Sequence, residues 1–144
     1  MLYYVSNLDL SNGYKMQWQP FDQAYLANES AIAAEPTVLS IDFSGDFIAG
    51  IRIPSTHFDC GAGQPWLTQY SDENGFFIVN TLSHERMSFD SQAAFESQLE
   101  SMGLADSIFM DYEAFYRIGA SLRSEQPNDN ELLNCQKVKV SLND

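Results

Sequence analysis

Two runs of strict alternation, joined by a short turn, constrain this chain more than any other feature. Leu39, Ile41 and Phe43 alternate with polar residues in Thr37 to Phe43, and Phe47, Ala49, Ile51 and Ile53 alternate in Asp46 to Ile53. A period of two places such residues on one face of a pleated strand, so the pair predicts an antiparallel hairpin turning at Ser44-Gly45-Asp46. Loop length then decides the core. A two-residue loop would put the two apolar sets on opposite faces, whereas a three-residue loop unites them. The three-residue loop is the expectation.

The rest of the chain reads around that hairpin. Leu2 to Leu8 and the alternating Tyr14, Met16 and Trp18 form a first hairpin across Asn12-Gly13. Asp22 caps a helix, stapled by Phe21 on Leu26, that stops before Pro36. Pro54 to Pro65 reads as a loop, and Trp66 to Tyr70 with Phe76 to Leu82 as a further hairpin about Asp72-Glu73-Asn74-Gly75. Asp90 caps a helix carrying Phe95, Leu99 and Met102 and ending at Gly103. Asp106 or Ser107 caps the next, with Ile108, Tyr112, Phe115, Gly119 and Leu122 as its apolar stripe and Glu113 placed to pair with Arg117. Val138, Val140 and Leu142 alternate in a last strand. The predicted class is α+β: one domain over residues 1–144, with a mainly antiparallel sheet of five to seven strands and two or three helices packed on one side.

Composition supports a single packed domain, since 44% of the 144 residues are hydrophobic and 13% aromatic. Charge narrows the partners. Twenty Asp and Glu against seven Lys and Arg give a formal net charge of -13. Arg52 is the sole base between Lys15 and Arg86, a stretch holding nine acids, and six more acids lie between Arg86 and Arg117. Such a surface repels nucleic acid and anionic membrane and attracts basic proteins. The candidate binding acids are Glu96 and Glu100, one helical turn apart, with Asp111, Glu113, Asp72 and Glu73. Trp18, Trp66, Tyr3, Tyr4, Tyr14 and Tyr70 are candidate interface aromatics.

Catalytic signals are few. His57-Phe58-Asp59-Cys60-Gly61 brings a thiol and an imidazole together, so a cysteine enzyme would use Cys60 with His57 or His84 as base. The same residues with Glu85 match no zinc spacing, so no metal is expected. Phosphate-binding loops, dinucleotide fingerprints and serine elbows are missing, which leaves no cofactor implied. The cysteines number two and the residues from Met1 to Asn7 lack a signal-peptide pattern, so both thiols are expected reduced and the protein cytoplasmic. The leading expectation is an inhibitor or antitoxin-like module, a nucleic-acid mimic that docks on a basic site of a nucleic-acid-binding protein or toxin, a role that suits a phage or mobile element. The alternatives are the Cys60 enzyme and a non-catalytic assembly component.

Overall fold

The computed structural model describes residues 7–19 and 23–138. Among these residues eleven strands and two α-helices follow in the order β1 (Asn7–Asp9), β2 (Lys15–Gln19), β3 (Gln23–Ala27), β4 (Ile32–Ala34), β5 (Val38–Ser44), β6 (Phe47–Arg52), β7 (Ser55–Asp59), β8 (Leu67–Tyr70), β9 (Gly75–Asn80), β10 (Arg86–Phe89), α1 (Gln92–Ser101), α2 (Tyr112–Ser124) and β11 (Gln136–Val138). Three antiparallel sheets result, ordered β1-β2-β3-β4, β10-β9-β6-β5 and β11-β7-β8. The α+β class holds, while the strands outnumber the five to seven expected and divide among sheets.

The alternating hairpin explains the layering. Ser44 pairs directly with Phe47, so the loop is the two residues Gly45 and Asp46 and the expected three-residue loop is wrong. From Ile41 to Ile51 the two apolar sets therefore face opposite ways, with Ile41 toward one core and Ala49 and Ile51 toward the other, while Phe43 is exposed. Ala49, Ile51, Ile53, Phe76 and Ile78 pack under the helices with Phe95, Leu99 and Phe115. On the other face Val38, Ile48, Phe77 and Val79 pack against Tyr14, Met16, Ala24, Leu26 and Ala34 of the first sheet. A register shift between Val38 and Ser40 lets β5 serve both cores, with Leu39 turned to the helices and Ile41 to the first sheet. A strand buried on both faces shows a continuous apolar run, which is what Phe76–Val79 is.

Several expectations change for local reasons. Residues 23–34 form β3 and β4, not a helix, because the Asn28 side chain accepts from the backbone N–H of Ser30 and Ala31 at 2.8 Å each and fixes a turn there. Phe21 and Asp22 lie outside the described residues, as do residues 1–6 and 139–144 of the predicted first and last strands. The predicted loop after Pro54 contains β7, the middle strand of the third sheet. Strands β8 and β9 do not pair with each other: β8 joins β7, and β9 joins β6 and β10. Ser91, not Asp90, caps α1 by accepting from Ala94 N–H, and Asp111, not Asp106 or Ser107, caps α2. Both helices lie on the one predicted side.

β11 runs back along β7 with Gln136 opposite Asp59. That register sets Cys135 beside Cys60, Cα atoms 4.2 Å apart, in a disulfide across 75 positions. The expectation of two reduced cysteines is thereby overturned; no spacing rule could have linked cysteines so distant. Among the described residues no helix is long and apolar enough to cross a membrane.

Candidate functional site

Helix α1 buries Phe95 and Leu99, which leaves Glu96 and Glu100 on its exposed side. It ends at Gly103, whose φ of 72° suits glycine, with Leu104 N–H reaching back to the Leu99 carbonyl at 2.8 Å. The chain then sinks Leu104 and Ile108 into the helix-side core. Phe109 is treated differently. Its N–H donates to Asp42 Oδ2 at 2.8 Å, which holds the main chain of a residue that is 75% exposed, and the Met110 side chain next to it meets the Ser40 hydroxyl at 3.5 Å through Sδ.

Between α1 and this segment lies a cleft of about 310 Å³, lined by Glu96, Leu99, Glu100, Ile108, Phe109 and Met110 among others. Polar contacts hold its acidic wall in place. Gln92 Nε2 donates to Glu96 Oε1 at 2.7 Å, and the Tyr116 hydroxyl donates to Gln92 Oε1 at 2.8 Å. Burial, together with the nearby Glu96 carboxylate, pushes the Tyr112 pKa up to about 12. Tyr112 thus stays a neutral donor at physiological pH.

The other sequence-predicted acids divide between the ends of α2. Asp111 accepts from Ala114 N–H at 3.0 Å as the cap, and Glu113 occupies the first turn, where the helix dipole favours negative charge. Asp72 and Glu73 lie in the turn gripped by Arg123, whose guanidinium donates to the Ser71 and Glu73 carbonyls at 2.7 and 2.9 Å near the helix's far end. Thirteen residues of helix separate the groups by about 20 Å. Glu96 and Glu100 therefore share an end with Asp111 and Glu113, and Asp72 with Glu73 forms a second patch. All six side chains are exposed.

The catalytic candidates Cys60 with His57 or His84 lack the thiol that such chemistry needs. Cys60 has no free thiol within the disulfide. His57 is buried in the third sheet, its Nδ1 3.1 Å from Thr68 Oγ1 and its Nε2 3.5 Å from Ser55 Oγ, and desolvation lowers its pKa. His84 sits in the β9–β10 turn, with Nδ1 2.6 Å from the hydroxyl of buried Tyr14. Two larger clefts, each about 540 Å³, flank these histidines, one beside Glu35, Ser55, His57 and Lys137, the other among Asn12, Asn28, Glu29 and His84. No group of three or more metal-ligating side chains occurs among the described residues.

Cations are engaged elsewhere. Arg52 donates to the Glu35 and Pro36 carbonyls at 2.7 and 3.0 Å, and Arg86 to the Ala33 carbonyl at 2.8 Å. Burial lowers the pKa of both, and for Arg52 the nearness of Arg86 adds to it. Among the described residues one ion pair forms, Lys15 with Asp9 at 3.8 Å. The carboxylates of α1 and α2 thus carry their charge without a basic neighbour in an ion pair. Of the aromatics read as interface candidates, Tyr14 is buried and Trp66 and Tyr70 are half-buried; Tyr3, Tyr4 and the side chain of Trp18 lie outside the described part. Phe109 was missed, although three successive apolar residues in a non-helical segment, Ile108-Phe109-Met110, cannot all point inward. Compared with protein-family models, curated proteins and solved structures, the chain matches none of them.

Proposed function

We propose that this protein is an acidic binding module of the inhibitor or antitoxin-like kind, which docks on a basic site of a nucleic-acid-binding protein or toxin. One observation carries the reading: a chain of net charge -13 directs Arg52, Arg86 and Arg123 to main-chain carbonyls, and among the described residues the exposed carboxylates of α1 and of the start of α2 have no basic partner in an ion pair. A field of that sign steers basic partners and repels phosphate backbones and anionic lipid. The disulfide withdraws the ground for expecting a cytoplasmic location and supports residence where thiols are oxidised.

The test is the salt dependence of partner binding. Affinity of a captured basic partner should fall as salt rises from about 0.05 to 0.5 M, mostly through the association rate. The module should also displace nucleic acid from that partner. Binding indifferent to salt would remove charge as the recognition principle.

A further inference from the structure

We infer that the α1 cleft is the docking point, and that it takes a basic segment of the partner carrying an aliphatic or aromatic side chain flanked by Lys or Arg. This rests on the acidic-module reading and adds to it an apolar anchor, which charge alone does not require. The chemistry of the cleft is two-part. Leu99 and Ile108, buried beneath it, and half-buried Met110 offer an apolar floor, and exposed Phe109 extends that surface to the rim. Glu96 and Glu100 form the opposing wall, and side chains four apart on a helix lie about 5–6 Å apart at Cβ, a spacing that two cations one turn apart on a partner helix would match.

The cleft is also preorganised. The Phe109 main chain is held by Asp42 and the Glu96 carboxylate by Gln92, so part of the ordering is in place before binding. An exposed aromatic side chain beside an apolar floor is the arrangement of a binding anchor. Charge decides which occupant fits. A second copy of this chain brings the same net charge of -13, and a nucleic acid or an anionic bilayer brings phosphates, so each is repelled by the wall that a basic peptide satisfies.

The experiment uses the oxidised full chain, isotopically labelled, and maps amide shifts with three peptides of equal length: a helical Lys/Leu peptide with leucines on one face, the same peptide with Ser for Leu, and the same with Glu for Lys. The Lys/Leu peptide should shift residues 96–112 and bind about tenfold or more tighter than the Lys/Ser peptide, since one buried leucine side chain suffices for that ratio. The Glu/Leu peptide should not bind. Phe109→Ser should weaken the Lys/Leu peptide severalfold without altering its salt slope, and the pair Glu96→Gln with Glu100→Gln should weaken it and flatten that slope. Both changes lie on exposed positions, and each variant's spectrum verifies its fold. Equal binding of the Lys/Leu and Lys/Ser peptides, or shifts centred on Asp72 and Glu73, would overturn the anchored cleft while leaving charge-driven docking intact. Failure of every cationic peptide at low salt would overturn both.

Discussion

Gly50 provides the sharpest test of the two-core architecture. It lies in β6 opposite Phe77 of β9 and Ile41 of β5, on the face packed against the first sheet. A Cβ there would stand 2.4 Å from Phe77 Cζ, 2.8 Å from Cε1 and 2.9 Å from the Ser40 carbonyl oxygen. Each distance is below any relaxed contact, and the neighbours have little room to give. Phe77 is fully buried with the Arg86 guanidinium 5.5 Å from its ring centre, and the Ser40 carbonyl belongs to a paired strand. Gly50→Ala should therefore incur overpacking near the upper end of the usual range, about 3 kcal/mol. The stiffer unfolded chain of the alanine variant offsets about 0.4–1 kcal/mol of that. A net loss of about 2 kcal/mol follows, or a fall in Tm of roughly 4–8 °C for a domain of this size.

Urea unfolding followed by circular dichroism, with calorimetry alongside, would measure it. The partner substitution identifies the cause. Phe77→Leu shortens the side chain that meets the new methyl, so in a double-mutant cycle the two changes should couple favourably by about 1 kcal/mol or more. A Gly50→Ala protein as stable as the parent, or additivity of the two substitutions, would show that Phe77 does not lie across Gly50 and that β6 is not enclosed on both faces.

Two further outcomes follow from the third sheet. Reduction of the disulfide, or paired Cys60→Ser and Cys135→Ser substitution, should destabilise by up to about 4.5 kcal/mol, the chain-entropy value for a loop of 75 residues. Far-ultraviolet circular dichroism should stay native-like below the new melting point, because neither cysteine belongs to either core; a freshly isolated chain whose mass shows two free thiols would remove the bridge altogether. His57 resists protonation when folded, its pKa lying below the ordinary 6.5, whereas the unfolded chain takes the proton. Its contribution is thus complete above pH 6.5 and is lost as pH falls through the folded-state value, so stability measured from about pH 7 to pH 5 should decline less in His57→Gln than in the parent. Parallel pH profiles would place the imidazole in solvent.

How much was legible in advance depended on whether the signal was local. The strand alternation from Val38 to Arg52 and the apolar spacing of Phe95, Leu99, Phe115 and Gly119 are local, and they located β5, β6, α1 and α2. The partners of these elements are not local. Nothing in Trp66 to Leu82 states that β8 and β9 belong to different sheets, and the four-residue apolar run Phe76–Val79 was a sign of two-sided burial that a hairpin reading absorbs without comment. Residues 23–34 were misread because alanines and a following Pro36 suit a helix end, while the deciding interaction is a single side-chain turn at Asn28. At the candidate site, the shared exposed side of Glu96 and Glu100 on α1 follows from their spacing alone. Phe109 depended on Asp42, a residue 67 positions away, to fix which way it faces.

The placement of the arginines bears on how separable the acidic surface is from the fold. Burial lowers the pKa of Arg52 and of Arg86, the nearness of Arg86 lowers that of Arg52 further, and the arrangement is sustained by the carbonyls of Ala33, Glu35 and Pro36 and the nearby Glu35 carboxylate. Their bonds join the end of β4 to β6 and β10, that is, the first sheet to the second. Arg123 likewise ties α2 to the turn before β9. Removing any of these guanidiniums would strip one or two main-chain carbonyls of a donor and act on the packing of layers. Neutralising Glu100, by contrast, touches nothing that holds a layer in place, and neutralising Glu96 to Gln preserves an acceptor for Gln92. The double change should leave stability within about 0.5 kcal/mol, as surface substitutions do. Because the fold's cations and the surface's anions act on different contacts, a loss of binding in that variant reports on recognition and not on folding.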